Sequence, residues 1–475
     1  MNYTQAELVF IPTPGAGHLH SSVEAAKLIV QRDRHISIAM LILNLSPNSS
    51  MINDFVDSQT RLNPYPNRLT FLTLPPLSGN TASTFFHSIS LYCPLVKLSV
   101  EERTQQPGSA RLAGFILDMF CPAMMDVADE FNVPSYVYLT SGANMFSLWL
   151  HLQSLVHDQG VNLANELTDP YTEYYVPGFM NPVIRKVIPT EFLCDKEGVA
   201  TLLMDHARRF RKCKGILINT FQELETFGIQ ALMDEVNKKN IPKIYPVGPI
   251  LKFNDKGEGE SIIRWLDDQP VSSVVFLCFG SKGCFSADQV KEVANGLEMS
   301  GYRFLWSLRN VSSDNDHEYL DDVPQGFLER TAERGKIIGW APQISILAHP
   351  AVGGFVSHCG WNSILESLWF GVPIATWPLY AEQKANAFEL VKELGLAVEI
   401  RIDYDQQDLK TSEAKNNIVA AEEVENVVEK LMNLDEERKN KVREMRDKGR
   451  KAVEEGGSSH KWLGCFIQDV VNIVA

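Results

Sequence analysis

The stretch that most constrains this chain is residues 340–383, in which two strand–turn–helix units follow one another. An apolar strand is expected over residues 354–357 and a helix over residues 364–370. A second apolar strand over residues 373–377 leads to another helix that begins near Gln383. Units of this kind place backbone N–H groups and the positive end of a helix at the carboxyl edge of a parallel sheet. The stretch therefore predicts a nucleotide or phosphate site on an α/β sheet.

Polar side chains cluster at the same predicted edge, around the run HCGWNS at residues 358–363. His358, Asn362 and Ser363 add side-chain donors there, and Glu366, one helical turn on, can accept hydrogen bonds from the hydroxyls of a ribose. Asn362 is the expected N-cap of the helix and Gly371 its end. The alternative is a buried strand–helix unit whose Trp and His side chains only pack, and so many coincident polar groups disfavour it.

Length and composition predict two domains in a soluble globular protein. The chain has 475 residues, of which 45% are hydrophobic and 22% charged; that length suits two domains. A polar run around residues 252–260 predicts the boundary, with a first domain over 1–250, a second over 251–455 and a last amphipathic helix within 456–475. The net charge of −15 argues against nucleic acid and anionic membranes as partners.

The cysteines and the first residues predict a cytoplasmic protein. The 8 cysteines show no CxxC motif and no disulfide-framework spacing, which is typical of reduced thiols. The first apolar run covers only residues 8–12, and no apolar stretch reaches the roughly 18–20 residues that span a bilayer. We therefore expect no membrane anchor, and we expect a monomer.

The first βαβ unit places His18 at a strand-to-helix turn. A strand over residues 7–12 is followed by a turn ending at His18 and a helix over residues 19–31. The turn lacks the third glycine of GxGxxG, and the second strand ends at Asn44 rather than an acidic residue, so a nicotinamide-dependent reductase is disfavoured. The positive end of the helix disfavours an imidazolium, so His18 can act as a general base. A helix-start residue bonded to backbone is the alternative for His18.

Asp118 follows another predicted parallel strand, over residues 112–117, and therefore reaches the same edge as His18. A carboxylate beside an imidazole fixes its tautomer and stabilises the cation formed on proton uptake. Taken alone, Asp118 also fits the N-cap of the next helix.

Residues 340–383 resemble the plant secondary-product glycosyltransferase box of the family-1 UDP-sugar-dependent glycosyltransferases. The match covers all 44 positions in length, with Trp340, Ala341, Gln343, the HCGWNS run, Glu366, Pro373, Glu382 and Gln383 in place. The resemblance implies the GT-B arrangement: an α/β fold with two facing Rossmann-like domains and the inter-domain cleft as the active site.

The resemblance also assigns roles to individual residues. It implies a catalytic dyad of His18 and Asp118. Uracil would stack on Trp340, the base or ribose would bond Ala341 and Gln343, and the ribose hydroxyls would bind Glu366. The residues implied for binding the UDP-sugar are Thr140, Ser281, Trp340, Ala341, Gln343, His358, Trp361, Asn362, Ser363, Glu366, Glu382 and Gln383. Lys282, beside Ser281, either faces the diphosphate or points outward.

Acceptor-binding residues are expected in the first half and at the end of the box. The candidates are Gly15, Phe86, Phe120, Phe146, Trp149, Tyr380 and Ala381. An irregular segment over residues 152–205 is expected to overhang the acceptor, and the final helix, over residues 459–471, is expected to cross back onto the first domain.

The implied reaction is the inverting transfer of glucose from UDP-glucose to a small apolar hydroxylated acceptor. Phenolics such as flavonoids or stilbenes are the expected acceptor class. Gln383 at the last box position favours glucose over galactose. Terpenoid or hormone acceptors and a catalytically silent UDP-sugar-binding protein are the alternatives. We expect no cofactor and no metal: DxD motifs at residues 314–316 and 403–405 lie in acidic stretches where short motifs arise by chance.

Overall fold

The computed structural model describes residues 5–45, 50–77, 85–195, 198–253, 259–309, 320–402, 404 and 418–474. Of the two DxD motifs, the one at residues 314–316 lies wholly outside these ranges, and only residue 404 of the one at residues 403–405 lies inside them. The chain divides into two compact units. The first comprises Met1–Glu166, Cys194–Leu251 and Lys451–Ala475, and the second comprises Leu167–Leu193 and Lys252–Arg450.

The elements alternate strand and helix along most of the chain. The strands are β1 Ala6–Ile11, β2 Ile36–Ile42, β3 Leu69–Thr73, β4 Arg111–Asp118, β5 Ser135–Leu139, β6 Glu173–Tyr174, β7 Val183–Ile184, β8 Gly215–Ile218, β9 Lys243–Pro246, β10 Val274–Cys278, β11 Arg303–Ser307, β12 Gly335–Ile338, β13 Val352–Ser357, β14 Ile374–Thr376 and β15 Ala397–Glu399.

The helices of the first half are α1 Ala16–Arg32, α2 Ser50–Arg61, α3 Phe85–Ser90, α4 Cys93–Thr104, α5 Met125–Glu130, α6 Ala143–His157, α7 Leu163–Glu166, α8 Thr190–Leu193, α9 Val199–Phe210 and α10 Thr226–Asn237. Those of the second half are α11 Glu260–Asp267, α12 Ala287–Ser300, α13 Phe327–Thr331, α14 Gln343–Leu347, α15 Trp361–Phe370, α16 Gln383–Phe388, α17 Ala421–Met432, α18 Glu436–Val453 and α19 Ser458–Val474.

The first unit is built on a parallel sheet with strand order β3-β2-β1-β4-β5-β8-β9. Its inner strands, β1 and β2 among them, are buried along their whole length, as expected when helices cover both faces of a parallel sheet. The strand order reverses between β1 and β4, where Ile11 pairs with Leu117. In open α/β sheets, ligands bind at the carboxyl end of the strands at such a switch point.

The second unit repeats this plan with a parallel sheet of order β12-β11-β10-β13-β14-β15. Its switch point lies between β10 and β13, where Cys278 pairs with Ser357. The loops that follow β10 and β13 therefore emerge side by side at the carboxyl edge of this sheet. Ser281 lies in the first of these loops, and the HCGWNS run covers the second loop and the start of α15.

The last helix, α19, completes the core of the first unit. Leu463, Phe466 and Val470 belong to the same buried cluster as the apolar residues of β1 and β2. The Phe466 ring lies edge-on to Tyr136 of β5 and Tyr245 of β9, at centroid distances of 5.1 and 5.6 Å. The expectation that the final helix returns to the first domain agrees with this packing.

The structure differs from the sequence expectations at several elements. The helix of the HCGWNS run begins at Trp361 with Gly360 as its N-cap, so the predicted N-cap at Asn362 is wrong; its end at Gly371, with φ of 73°, is confirmed. Residues 152–205 are irregular only in part, since they include the end of α6, the short elements α7, β6, β7 and α8, and the first part of α9. Within that range Leu167–Leu193 groups with the second unit, although the sequence boundary near 250 assigns it to the first.

Candidate active site

His18 and Asp118 are in direct contact at the switch point of the first sheet. Because β1 pairs with β4, the turn after β1 and the last residue of β4 meet, and His18 Nδ1 lies 2.8 Å from Asp118 Oδ2. Asp118 is fully buried, whereas the side chain of His18 is 26% exposed. The carboxylate accepts the Nδ1 proton, so Nε2 carries the lone pair. The pair thus has the base-plus-orienter geometry that the sequence predicts.

Thr13 holds the other oxygen of the same carboxylate. The Thr13 hydroxyl donates to Asp118 Oδ1 over 2.5 Å, and the backbone N–H of Phe120 donates to this oxygen over 3.0 Å. Sequence reasoning missed Thr13, although a hydroxyl residue in the turn between β1 and α1 was a usable signal. With three donors on two oxygens, the buried charge of Asp118 is compensated and its orientation is fixed.

Thr140 and Gly15 also lie beside His18. The Thr140 hydroxyl is 3.0 Å from His18 Nδ1 and therefore contacts the dyad. The implied binding of the UDP-sugar by Thr140 stays a prediction. Gly15 is the N-cap of α1, and a Cβ atom there would lie 3.7 Å from His18 Cδ2. Both residues therefore help to define the space around the imidazole.

Aromatic rings extend from His18 into the first unit. Phe120 lies 5.4 Å from the His18 ring, and Phe86 lies 5.2 Å from Phe120, both measured between ring centroids. Phe146 and Trp149 are each only 2% exposed and pack against Phe210 of α9. Phe86 and Phe120 therefore lie half-buried near the imidazole. Phe146 and Trp149 are buried farther inside the first unit.

Three of the predicted UDP-sugar residues form one hydrogen-bonded group in the second unit. The side-chain amide of Gln343 donates to Ser363 Oγ over 2.9 Å and to Glu366 Oε2 over 2.6 Å. Gln343 begins α14, whereas Ser363 and Glu366 lie in the first two turns of α15. The group brings a carboxylate, a hydroxyl and an amide to the positive end of α15, a set suited to ribose hydroxyls and a phosphate.

His358 is neutral in this environment. It is 6% exposed, and burial lowers its pKa to about 4. A Cβ atom on Gly280 or on Gly360 would lie 2.6 or 2.5 Å from His358 Nε2, so only glycine fits at these two positions. His358 can therefore donate a hydrogen bond to an anion but brings no positive charge.

Arg309 links two predicted donor residues and was not found from the sequence. Its guanidinium lies 5.2 Å from the centroid of the Trp340 ring, and Nη1 donates to the carbonyl of Ser281 over 2.7 Å. Trp340 is 57% exposed, so a planar base can still stack on its ring. An arginine two residues after the end of β11 was the available signal.

The loop before α16 is held by Gln383. Its side-chain carbonyl accepts hydrogen bonds from the backbone N–H groups of Leu379 and Tyr380, at 2.8 and 3.1 Å. Ala381 has φ of 55°, a left-handed conformation that costs free energy in a residue other than glycine. Gln383 thus fixes the loop that carries the predicted residues Tyr380 and Ala381.

The remaining donor candidates occupy element starts in the second unit. Ala341 precedes α14, Trp361 and Asn362 begin α15, and Glu382 is the N-cap of α16. Trp361 is almost entirely buried. Their roles toward the sugar nucleotide stay predictions.

Neither a metal centre nor a membrane span is found in the described parts of the chain. Within the ranges that the structure covers, no group of three or more His, Cys, Asp or Glu side chains could hold a metal ion. Among the same residues, every helix is too short or too polar to cross a bilayer.

Comparison with known proteins shows the family. The family model described as UDP-glucoronosyl and UDP-glucosyl transferase matches residues 237–443. UDP-glycosyltransferase 71E1 of Stevia rebaudiana is 47% identical over 98% of this chain and 99% of its own length. Anthocyanidin 3-O-glucosyltransferase 1 of Manihot esculenta is 48% identical over 96% of this chain and 100% of its own length.

A solved structure agrees with these relatives. The crystal structure of Medicago truncatula UGT71G1 complexed with UDP-glucose superposes with a TM-score of 0.85, at 39% identity, over 98% of both chains. The chain belongs to the UDP-glycosyltransferase family and is a glycosyltransferase. Its two parallel-sheet units are the two Rossmann-like halves of the GT-B fold.

Proposed function

We propose that this enzyme transfers glucose from UDP-glucose, with inversion, to a hydroxyl group of a small apolar phenolic acceptor. The observation that carries the proposal is the contact of 2.8 Å between His18 Nδ1 and Asp118 Oδ2 at the switch point of the first sheet. Relatives named for anthocyanidin and flavonoid 3-O-glucosylation, at 48% and 45% identity, support the choice of acceptor class. The relative solved with UDP-glucose supports the donor.

In the proposed reaction His18 Nε2 takes the proton of the acceptor hydroxyl. The oxygen attacks the anomeric carbon as the bond from that carbon to the UDP oxygen breaks, through an oxocarbenium-like state. UDP leaves with the bonding electron pair, and the proton remains on His18 until it passes to solvent. Asp118 stabilises the imidazolium throughout the step, since its carboxylate is oriented by Thr13 and Phe120.

On the donor side, the leaving diphosphate gains negative charge. The start of α15, the Ser363 hydroxyl, the neutral His358 and the cation of Arg309 offer dipoles and one positive charge for it. We propose on this ground that the reaction needs no divalent cation. Turnover that falls when EDTA is added and returns with Mg²⁺ or Mn²⁺ would contradict this part of the proposal.

The decisive experiment is an assay with UDP-glucose and a phenol such as quercetin, with the glucoside and the anomeric configuration determined by mass spectrometry and NMR. A β-glucoside supports the proposal, because inversion of the α-linked donor gives the β product. UDP-glucose binding without any transfer across a panel of phenolic, terpenoid and hormone acceptors would mean a silent binding protein instead. Transfer of galactose in preference to glucose would overturn the choice of donor.

Two further expectations belong to the proposal. The cysteines Cys93, Cys121, Cys194, Cys213, Cys278, Cys284, Cys359 and Cys465 are all free thiols, which suits a reducing compartment such as the cytoplasm. We also propose that the enzyme acts as a monomer, because one chain contains both the dyad and all the residues implied for the sugar nucleotide. Light scattering on the purified chain tests the second point.

A further inference from the structure

A continuous row of rings leads from His18 to a second buried histidine, His206. The row runs from His18 to Phe120, Phe86 and His206, with successive centroid distances of 5.4, 5.2 and 6.1 Å. The His206 ring meets Phe86 edge to face, with an interplanar angle of 85°. An apolar acceptor whose reacting hydroxyl lies at His18 therefore has aromatic contacts along a path that ends at an imidazole.

His206 lies in α9 and is 6% exposed. In the described part of the chain, its Nδ1 atom is buried without a hydrogen-bond partner. Burial and, to a smaller extent, the nearby charge of Arg209 lower the pKa of His206 to about 3. The ring is therefore neutral near pH 7 and carries one N–H donor and one lone pair.

A buried polar atom without a hydrogen bond costs free energy, so such atoms in native proteins call for an explanation. Phe86 beside His206 offers only an aromatic ring, while the neighbouring Arg209 side chain is engaged by Asp126 at 2.9 Å. A ligand hydroxyl suits a neutral imidazole because it can both donate and accept.

We propose that His206 is a specificity-determining residue that binds a second hydroxyl group of the acceptor, at the end of the molecule remote from the glucosylated oxygen. The preferred substrates are then rigid aromatic compounds that carry hydroxyl groups at both ends. This inference rests on the proposed function, because it takes the first hydroxyl to be the one at His18. An acceptor lacking the remote hydroxyl leaves the imidazole unpaired in an apolar setting and binds more weakly.

The test compares trans-4,4′-dihydroxystilbene with trans-4-hydroxystilbene, which differ only in the remote hydroxyl. We expect kcat/KM of the wild-type enzyme to be about tenfold higher for the dihydroxy compound, beyond the factor of two that its two equivalent hydroxyl groups supply. H206L should bring the ratio down to that factor of two, with little change for the monohydroxy compound. H206N, whose amide lies close to the Nδ1 position, should keep part of the preference.

His151 provides a matched control, since it is a half-buried histidine of α6 outside the row, and H151L should leave the ratio unchanged. Acceptor binding is measured separately by calorimetry on the UDP-bound enzyme. Absence of turnover with either stilbene counts against the proposed function. Equal affinities for the two stilbenes in the wild-type enzyme, or the same ratio in wild type and H206L, overturn the role of His206.

Discussion

The hydroxyl of Thr13 donates to Asp118 Oδ1 over 2.5 Å, while His18 occupies Oδ2 of the same carboxylate at 2.8 Å. Thr13 and His18 thus hold the two oxygens of one fully buried group. Because Thr13 lies in the turn between β1 and α1 and His18 in the first turn of α1, this short segment sets the geometry of the dyad.

Replacing Thr13 by valine should lower kcat about tenfold and move the acidic limb of the pH profile to higher pH. Valine has nearly the same shape as threonine but cannot donate a hydrogen bond to Asp118. With one donor fewer, the Asp118 carboxylate stabilises a proton on the His18 imidazole more strongly. A protonated His18 cannot act as a base, so activity is lost at a higher pH than in the wild type. T13S retains the hydroxyl and should restore both values; an unchanged profile in T13V would show that Thr13 only packs.

His18→Ala should reduce turnover by ~10²–10⁴, the usual contribution of a positioned general base. The affinity for UDP should stay the same, because the nucleotide residues all lie in the second unit. Steady-state kinetics measures the turnover, and calorimetric titration measures the affinity for UDP. Full turnover in H18A would remove the imidazole from the mechanism.

Glu366→Ala should weaken UDP binding by about 10- to 100-fold, the range for hydrogen bonds to a charged group. The change removes the carboxylate that Gln343 holds and that we assign to the ribose hydroxyls. Glu329, an exposed residue of α13, gives the control substitution, which should leave the affinity unchanged. An effect of E366A on acceptor KM alone would contradict the ribose assignment.

Glu225→Gln should lower the free energy of unfolding of the first unit by about 2 kcal/mol. Its carboxylate is 2% exposed and accepts the backbone N–H groups of Ala143 and Asn144, at 2.8 and 2.7 Å, at the start of α6. The amide of glutamine can accept only one of these two bonds. Denaturant unfolding measures the loss, and the exposed Glu102, replaced in the same way, should show none.

Stability should fall as the pH is lowered below about 6.5, because two histidines are buried as neutral rings. Burial lowers the pKa of His206 to about 3 and that of His358 to about 4, so between these values and 6.5 the unfolded chain binds protons that the folded chain does not. Each histidine contributes a slope of up to ~1.4 kcal/mol per pH unit.

H206L should therefore reduce the slope of unfolding free energy against pH between about 6.5 and 4, by up to ~1.4 kcal/mol per pH unit. This holds whether or not the substitution changes the unfolding free energy at pH 7.5. Urea unfolding at several pH values measures the slope. The exposed His87 is the control, and its substitution by leucine should leave the slope as it is. An identical slope in H206L would mean that the pKa of His206 is not lowered in the folded protein.

Much of the fold follows from local sequence patterns. Buried runs such as residues 8–11 and 274–278 carry their own strand signal, and Gly371 ends its helix because glycine accepts a φ of 73°. The edge strands β3 and β12 were missed, since short, half-exposed strands have little apolar pattern. Asn362 was misplaced as an N-cap because the backbone of Gly360 makes the turn without a capping side chain.

Only those site residues that follow predicted strands could be placed together from the sequence. His18 and Asp118 follow parallel strands, so the rule that strand ends share an edge brings them together from sequence. No such rule shows that the Thr13 hydroxyl points at Asp118, that Arg309 lies against Trp340, or that His206 closes the aromatic row. Those contacts depend on side-chain packing across elements that are distant in sequence, and only coordinates show them.

The position of α19 has a consequence for biosynthesis. The first unit is translated first, yet the helix that covers Tyr136 and Tyr245 leaves the ribosome only after the whole second unit has been made. Until then an apolar face of the nascent sheet stays open to chaperones, and a stop codon shortly before Ser458 would leave it open for good. We therefore expect the first unit to complete its folding only after the final helical segment has been made.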